Sequence, residues 1–288
     1  MSYQQRIAAC NGWNRENFIP WLIKQQIVGW VKHPFAAALA PFATIFHAHA
    51  DRLELNPALD NFARRTSALA EVTAQLAADG WFALQDEPFA VKNSFTDAPL
   101  MTLDRAAATH FGIRAWGQHL NGYLRQKDHY QLWIARRAKD RYHFPDMLDN
   151  MVAGGLPYGI SLEENIAKEC FEEAAIPADL AARARICGAV TYIKETARGL
   201  KIDTMFCYDL ELPTTFTPIC TDGEVDSFTL MSAGDVATIV HDSEQFKPNC
   251  NLVIIDFLIR HGLLTPAEPG YSELLTALHP SLTLSGTT

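Results

Sequence analysis

Clustered cysteine is the first thing this sequence lacks. Cys10, Cys170, Cys187, Cys207, Cys220 and Cys250 form no CxxC pair and have no histidine at zinc-ligand spacing. That excludes a zinc ribbon or a disulfide-stapled scaffold and predicts reduced thiols, mostly in the core. Long hydrophobic runs are missing too. The longest, residues 35–46, contains Pro41 and is too short to span a bilayer as a helix. The opening Met-Ser-Tyr-Gln-Gln-Arg has no apolar stretch of the kind that directs secretion, so a cytoplasmic protein with no membrane role is expected. Positive charge is in deficit, with 24 Lys and Arg against 33 Asp and Glu and a formal net charge of −9. A general affinity for nucleic acid is therefore not expected.

Against these absences stand 48% hydrophobic and 20% charged residues in a chain of 288. This is enough apolar material for one large domain or two modest ones, and too little charge for disorder. The first hundred residues read as a small α/β unit. Short helical patterns are predicted over 21–30 and 34–40, and a longer helix over 61–78, where Phe62, Leu69, Val72 and Leu76 recur at helical spacing. Gly80 ends that helix, and WFAL and FAVKN are predicted as short strands around a turn at 86–88. A polar stretch at 96–99 marks a boundary, followed by a short helix at 104–110. From Gly112 the texture turns to strands: GIRAWGQHLNGYLRQ and HYQLWIARR flank Lys127-Asp128, a tight hairpin. A helix is predicted over 162–174, strands over 185–195 and 204–212, and helices over 233–241 and 249–261. A helix between strand pairs predicts an α/β fold with a mixed sheet sandwiched by helices.

Chemistry concentrates on the helix at 162–174. Glu169, Glu172 and Glu173 stand at i, i+3 and i+4, on one helix face, while Ile166, Cys170 and Ala174 mark a more apolar one. Like charges so placed repel, at roughly a few tenths of a kcal/mol per pair. A hard divalent cation with oxygen ligands is the natural group to offset that repulsion. A bare E-x-x-E-E is commonly just a solvated face. Here a glycine turn (Gly154, Gly155, Gly159) enters the helix and Lys168 directly precedes the first carboxylate. Counter-charge for a phosphate is available in residues 122–145, where Arg125, Lys127, Arg136, Arg137, Lys139 and Arg141 face only Asp128 and Asp140. As strand neighbours, Arg136 and Arg137 point to opposite faces, so at most one meets a given site. His119 and Asn121 share a strand face, either as ligand-reading groups or as a satisfied structural pair. Arg198, beside Gly199 between two strands, either closes over a substrate or is a solvated turn.

The segment GGLPYGISLEENIAKECFEEAAI, residues 154–176, resembles the Nudix box, G-x5-E-x7-R-E-U-x-E-E-x-G-U with U a bulky apolar residue. Glu169, Cys170, Phe171, Glu172 and Glu173 match its E-U-x-E-E heart, Ile176 the last apolar position and Gly154 the first glycine. Ile160 replaces the first glutamate, Lys168 the arginine and Ala175 the late glycine, and the glycine turn is one residue shorter than usual. Lys168 keeps the charge of an arginine without its bidentate fork. RAWGQHLNGYL, LWIARR, FPDMLDNMVAGG, DGEVDSFTLM and FKPNCNLVIIDFLIRHG extend the likeness over nearly the whole chain. They are similar to a Nudix subfamily with an extra N-terminal domain, including plant Nudix enzymes and fungal thiamine-pyrophosphokinase-related proteins acting on thiamine diphosphate and its oxidised analogues.

The resemblance implies a Nudix-type α/β/α sandwich over 106–265, a smaller α/β accessory domain over 1–105 and a C-terminal helical tail over 266–288. It implies hydrolysis of a small organic diphosphate to the monophosphate plus phosphate, dependent on Mg²⁺ or Mn²⁺. Thiamine diphosphate and its analogues come first as substrates. Nucleoside diphosphate derivatives, or a catalytically weak ligand-sensing module, are the rival readings. Glu169, Glu172, Glu173 and the Gly154 carbonyl are the implied metal ligands. Glu172, Glu173 or Glu224, in DGEVDSF, is the implied catalytic base. Arg136 or Arg137, with His119, Asn121 and Arg198, are the candidate substrate-binding residues. The expected partner is a small molecule, with neither nucleic acid nor membrane, and a homodimer is left open.

Overall fold

The computed structural model describes residues 2–282, so residues 283–288 of the expected helical tail lie outside the described residues. Helix α1 (Tyr3–Cys10) opens on a capping box between Ser2 and Gln5. Strands β1 (Phe18–Ile23) and β2 (Gln26–Lys32) then form an antiparallel hairpin, correcting the helix expected over 21–30. The deciding feature is the two-residue turn: Lys24 and Gln25 both take positive φ, 50° and 67°, which matches the twist of flanking strands. Helix α2 (His33–Ala38), β3 (Phe46–Ala48) and β4 (Leu53–Leu55) follow, and the small sheet runs in the order β2-β1-β4-β3. Helix α3 (Phe62–Ala78) is capped by Asn61, as its spacing predicts, and buries Leu69, Val72 and Leu76. Strand β5 (Pro88–Val91) pairs with β6 (Met101–Asp104), not with residues 81–84. Trp81 and Phe82 pack against the core from irregular chain instead. Helix α4 (Ala108–Phe111) closes this unit on Gly112.

The second unit is built on β7 (Arg114–Gln126), β8 (His129–Arg137), β9 (Leu148–Asp149), β10 (Val152–Gly155), β11 (Arg185–Glu195), β12 (Leu200–Glu211) and β13 (Val225–Ser232). These form a seven-stranded mixed sheet in the order β11-β12-β7-β8-β13, with β10 on β7 and β9 on β8. Strand β12 runs parallel to β7 and the other pairs are antiparallel. Strand β13 is an addition that the sequence pattern does not announce. Helices α5 (Leu162–Ala174), α6 (Ala178–Ala181), α7 (Ala233–Asp242), α8 (Pro248–Arg260) and α9 (Tyr271–Ala277) complete the chain.

Strand alternation assigns the two faces of this sheet. Leu120, Val152, Tyr208 and Leu210 pack against Ile166, Cys170 and Ala174 of α5. Leu132, Ile134, Met205 and Cys207 pack against α7 and α8. The result is the expected mixed sheet between helices. Four cysteines (Cys10, Cys170, Cys207 and Cys250) are buried, Cys187 is exposed, and all six are free thiols. One element departs from the expected division at residue 105. Helix α1 packs Tyr3, Ile7 and Cys10 onto the core of the second unit, and Arg6 Nε donates to the Val240 carbonyl at 2.8 Å.

Candidate active site

Helix α5 is positioned by its own ends. Ser161 Oγ accepts from Glu164 N–H at 3.1 Å and Glu164 Oε2 accepts from Ser161 N–H at 3.0 Å, a reciprocal cap that fixes where the helix starts. At the other end Ala175 takes a left-handed conformation, φ 51°, and Ile176 N–H bonds the Cys170 carbonyl. Asn165, fully buried, donates to Gln118 Oε1 at 2.7 Å and to the Gly155 carbonyl at 2.9 Å. That pair ties the helix to the glycine turn.

The three carboxylates of α5 stand in three different settings. A Cβ at Gly154 would stand 2.6 Å from Glu169 Oε1, so only glycine lets this carboxylate lie against the strand. Glu173 is buried, and its Oε2 accepts the Ala153 N–H at 2.9 Å. Glu172 is half exposed and shares Lys168 with Glu169, at 3.0 and 3.4 Å. Burial pushes the carboxyls of both Glu169 and Glu173 up. Neighbouring carboxylates add to that push, Glu172 and Glu87 on Glu169, and Asp149, Glu169 and Glu224 on Glu173. Partly buried carboxylates with this much mutual repulsion, beside a backbone stripped of side chains, fit a hard divalent cation. Glu169, Glu172, Glu173 and the Gly154 carbonyl are the oxygens present to hold one. Glu224 belongs to the same neighbourhood, steadied by Arg141 at 2.8 Å. Its loop is pinned to α5 by the Ile219 N–H on the Ala174 carbonyl and the Thr221 hydroxyl on the Glu172 carbonyl. Ile160 lies just outside the helix cap and brings no polar group to this cluster.

The expected substrate-binding residues are not brought together. His119 and Asn121 lie on the α8 face, 5% and 2% exposed. His119 Nδ1 is 2.8 Å from Asn150 Oδ1, while Asn121 donates to Asp209 and accepts from Asn150. These are satisfied core groups, which corrects their reading as ligand contacts. Arg137 is also committed: its Nε, Nη1 and Nη2 donate to the Phe144 carbonyl, Asp149 and the His143 carbonyl. It braces a loop rather than waiting for a phosphate. Arg136 turns to Asp146, donating to its carbonyl at 2.8 Å. Arg198 places its Nη1 on His143 Nε2 at 2.9 Å, and like Arg136 it is anchored through one nitrogen.

Nothing in the spacing of residues announces the buried polar layer beneath. Asp149 takes Lys247 and Arg137, each at 3.0 Å, and the Cys250 thiol at 2.6 Å. Burial alone would raise its carboxyl, but Lys247, His119, Arg137 and the thiol outweigh it and bring it down to about 2. His119, Asp149 and Cys250 place ligand-type atoms within 4.8 Å of one another. Two cations already neutralise Asp149 and burial pushes the thiol well up, so this trio does not fit a metal ion.

Two proteins of Arabidopsis thaliana match most of the chain. Nudix hydrolase 24, chloroplastic, is 43% identical over 264 residues, covering 91% of this chain and 72% of its own length. Nudix hydrolase 20, chloroplastic, is 41% identical over 286 residues, with 95% and 76% covered. The chain belongs to the Nudix hydrolases. It is accordingly a hydrolytic enzyme, and α5 with its glycine turn carries the segment that resembles the family's box. An uncharacterized Saccharomyces cerevisiae protein is 33% identical over 263 residues, covering 84% of this chain and 75% of its own length. A family model described as a domain of unknown function, DUF4743, matches residues 2–115. Both plant Nudix relatives are named chloroplastic, which overturns the cytoplasmic expectation.

Proposed function

We propose that this Nudix hydrolase cleaves a small organic diphosphate to the monophosphate and inorganic phosphate, with Mg²⁺ or Mn²⁺ held by Glu169, Glu172, Glu173 and the Gly154 carbonyl. The observation that carries the reading is Glu169 seated against Gly154 with Glu173 locked onto the preceding strand residue. Two largely buried carboxylates stand on one helix, with Lys168 at the rim as the counter-charge of Glu169. A divalent cation bound there supplies neutralisation of phosphate oxygens and acidification of water. The chain's own groups do the rest. Ala153 N–H holds Glu173, Lys168 holds Glu169 and Glu172, Asn165 fixes the turn, and Glu224, paired with Arg141, would take the proton of the attacking water. Water adds to one phosphorus, the bridging P–O bond breaks, and the leaving phosphate departs on that oxygen.

Thiamine diphosphate and its oxidised analogues are our first substrates, on the strength of the resemblance that runs through both units. We assign the first unit to substrate choice rather than metal binding, because its acidic residues do not gather at ligand spacing. The test is a panel of diphosphates scored for monophosphate release, with and without Mg²⁺, in the parent and in Glu172→Gln. Mg²⁺-dependent release that the variant loses supports the reading. Release that survives chelation, or ligand-induced stabilisation with no turnover of any panel member, overturns it, the second result in favour of a sensing module.

A further inference from the structure

The two glycines at the start of the box face different neighbours. Gly154 makes room for Glu169, whereas a Cβ at Gly155 would stand 2.9 Å from Phe89 Cζ and 3.3 Å from Arg105 Cζ. Phe89 and Arg105 belong to the first unit. The Pro88 carbonyl of that unit accepts the Tyr158 N–H at 2.7 Å, and Phe62 stands against Tyr158 with ring centroids 5.5 Å apart. The box turn is thus held between its own helix and the first unit. Gly155 lies opposite Gly117 in register, and the nearest atoms to a Cβ on Gly117 would be backbone of 154–155. Three glycines in a row across two strands leave this stretch of sheet without side chains of its own.

The cations of these segments differ in their hydrogen-bond accounts. Arg137 has a protein acceptor for all three of its nitrogens. Lys201 pairs with Asp203 at 2.8 Å and Arg141 with Glu224. Among the described residues, Arg105 donates from Nη1 to Glu87 at 2.6 Å while its Nε and Nη2 meet no protein acceptor. Arg198 donates from Nη1 to His143 Nε2, and among the described residues no carboxylate pairs with it. His143 feels both guanidinium groups. Burial, then Arg198, Lys201, Arg137 and Arg105, push it down to about 4, so it is a neutral acceptor that orients Arg198 and does not compete with it for anions. Arg105, set against Gly155 of the box turn, is anchored at one nitrogen and open at the others, as are Arg198, Arg136 and Arg141. That is the arrangement by which guanidinium groups take phosphate oxygens.

We infer that Arg105, from the first unit, is a substrate-binding residue of the hydrolytic site, its open nitrogens forming an anion subsite for the non-bridging oxygens of the substrate's phosphates. The inference rests on the reading of the substrate as a diphosphate. It gives the first unit a direct part in binding: Glu87 sets the angle of Arg105, and Arg105 flanks the glycine turn that Glu169 touches from the other side. Recognition is of the phosphates and not of the organic group, so every diphosphate the enzyme accepts should depend on it.

The experiment uses the full chain and inorganic pyrophosphate as probe. Binding is measured calorimetrically for the parent, Arg105→Gln, Arg105→Lys and Glu87→Gln, alongside Mn²⁺ binding, melting temperature and steady-state kinetics. Arg105→Gln should weaken pyrophosphate binding and raise KM about tenfold or more, with kcat changed far less and Mn²⁺ affinity retained. Arg105→Lys should recover part of the loss. Pyrophosphate binding and KM unchanged in Arg105→Gln, or Arg105→Gln and Glu87→Gln lowering the melting temperature alike with kinetics intact, would show a purely structural ion pair. If the parent turns over diphosphates and Arg105→Gln is unaffected, this inference fails and the proposed function stands. If the parent turns over none, yet pyrophosphate binding is lost in Arg105→Gln, the subsite stands and the proposed function fails.

Discussion

Glu173 Oε2 accepts the backbone N–H of Ala153 at 2.9 Å, joining the last carboxylate of α5 to the strand residue that precedes Gly154. The bond fixes the helix in register with the glycine turn, so the helix face that carries charge and the strand that lacks side chains cannot slide apart. It also makes Glu173 the most constrained of the three carboxylates and Glu172 the least.

Replacing Glu172 or Glu173 by Gln removes charge and keeps shape. Each variant should lose about a hundredfold or more in turnover at saturating Mg²⁺, because a preorganised charge acts at the point where charge develops. In Glu173→Gln the amide oxygen can still accept from Ala153, so circular dichroism and melting should stay near the parent. Glu163→Gln and Glu164→Gln, at the other end of the helix, should retain nearly full activity. Retention of more than about a tenth of parental activity in either carboxylate variant would remove that residue from the metal-binding set, since loss of a key electrostatic group costs far more.

Restoring the family residue as Ile160→Glu should not raise activity much. Position 160 lies just before the Ser161 cap, and Lys168 already bridges Glu169 and Glu172, leaving no guanidinium for a new carboxylate to meet. The paired change Ile160→Glu with Lys168→Arg should do more than either alone. A large gain in kcat/KM from the single change would show that position 160 takes the family's glutamate place despite the shortened turn.

Ala175→Gly should stabilise the protein. Ala175 ends α5 at φ 51°, ψ 32°, where a Cβ costs roughly 1 kcal/mol and glycine sits freely. Glycine also loosens the unfolded chain, which offsets part of the gain. The net shift expected in thermal unfolding is about +2 °C; a fall in melting temperature would mean that the alanine methyl makes a contact worth keeping.

The fold is legible in the sequence where local signals agree. Helix α5 has a Ser-x-x-Glu start, a period-of-3.6 apolar face and an E-x-x-E-E face, so its bounds of 162–174 follow from sequence alone. The hairpin of β7 and β8 is equally plain, from alternation around Lys127-Asp128. Residues 21–30 are not, because Trp21, Leu22, Ile23, Ile27, Val28 and Trp30 satisfy a helical and a strand period alike, and Lys24-Gln25 is no standard turn pair. At the site, the carboxylates can be read because they are contiguous on one helix. Arg105, Asn165 and Gln118 cannot, since each acts through a partner distant in sequence. His119 and Asn121 look like ligand readers because a polar pair on an apolar strand has two explanations. Only the cluster of Asn150, Asp149 and Asp209 behind them decides between the two.

Acid should weaken the fold in two stages. His110 and His119 are buried and neutral, each pushed from the ordinary 6.5 down to about 4, by burial first and then by Arg198 at His110 and Lys247 at His119. The unfolded chain therefore binds these protons more readily, so their contribution is intact above about pH 6.5 and is lost as pH falls toward 4. Asp149, lowered to about 2, contributes above its ordinary 3.8 and fails only below that. His110 also has both ring nitrogens without a partner among the described residues, surrounded by Phe35, Trp81 and Phe82. His110→Phe should raise the melting temperature at about pH 5 more than at about pH 8, on either side of the ordinary histidine range. Equal shifts at both would rule out its titration as the cause.

Helix α1 bears on how the chain matures. Its seat on α7 and α8 links residues 234 positions apart, as in the bond from Arg6 to Val240. The small sheet of the first unit can form as soon as it leaves the ribosome, because its pairings are local. Helix α1 cannot dock so early. Ile7 and Cys10 must wait, uncovered, until residues 233–260 have been made, so a helix synthesised early is among the last to find its place.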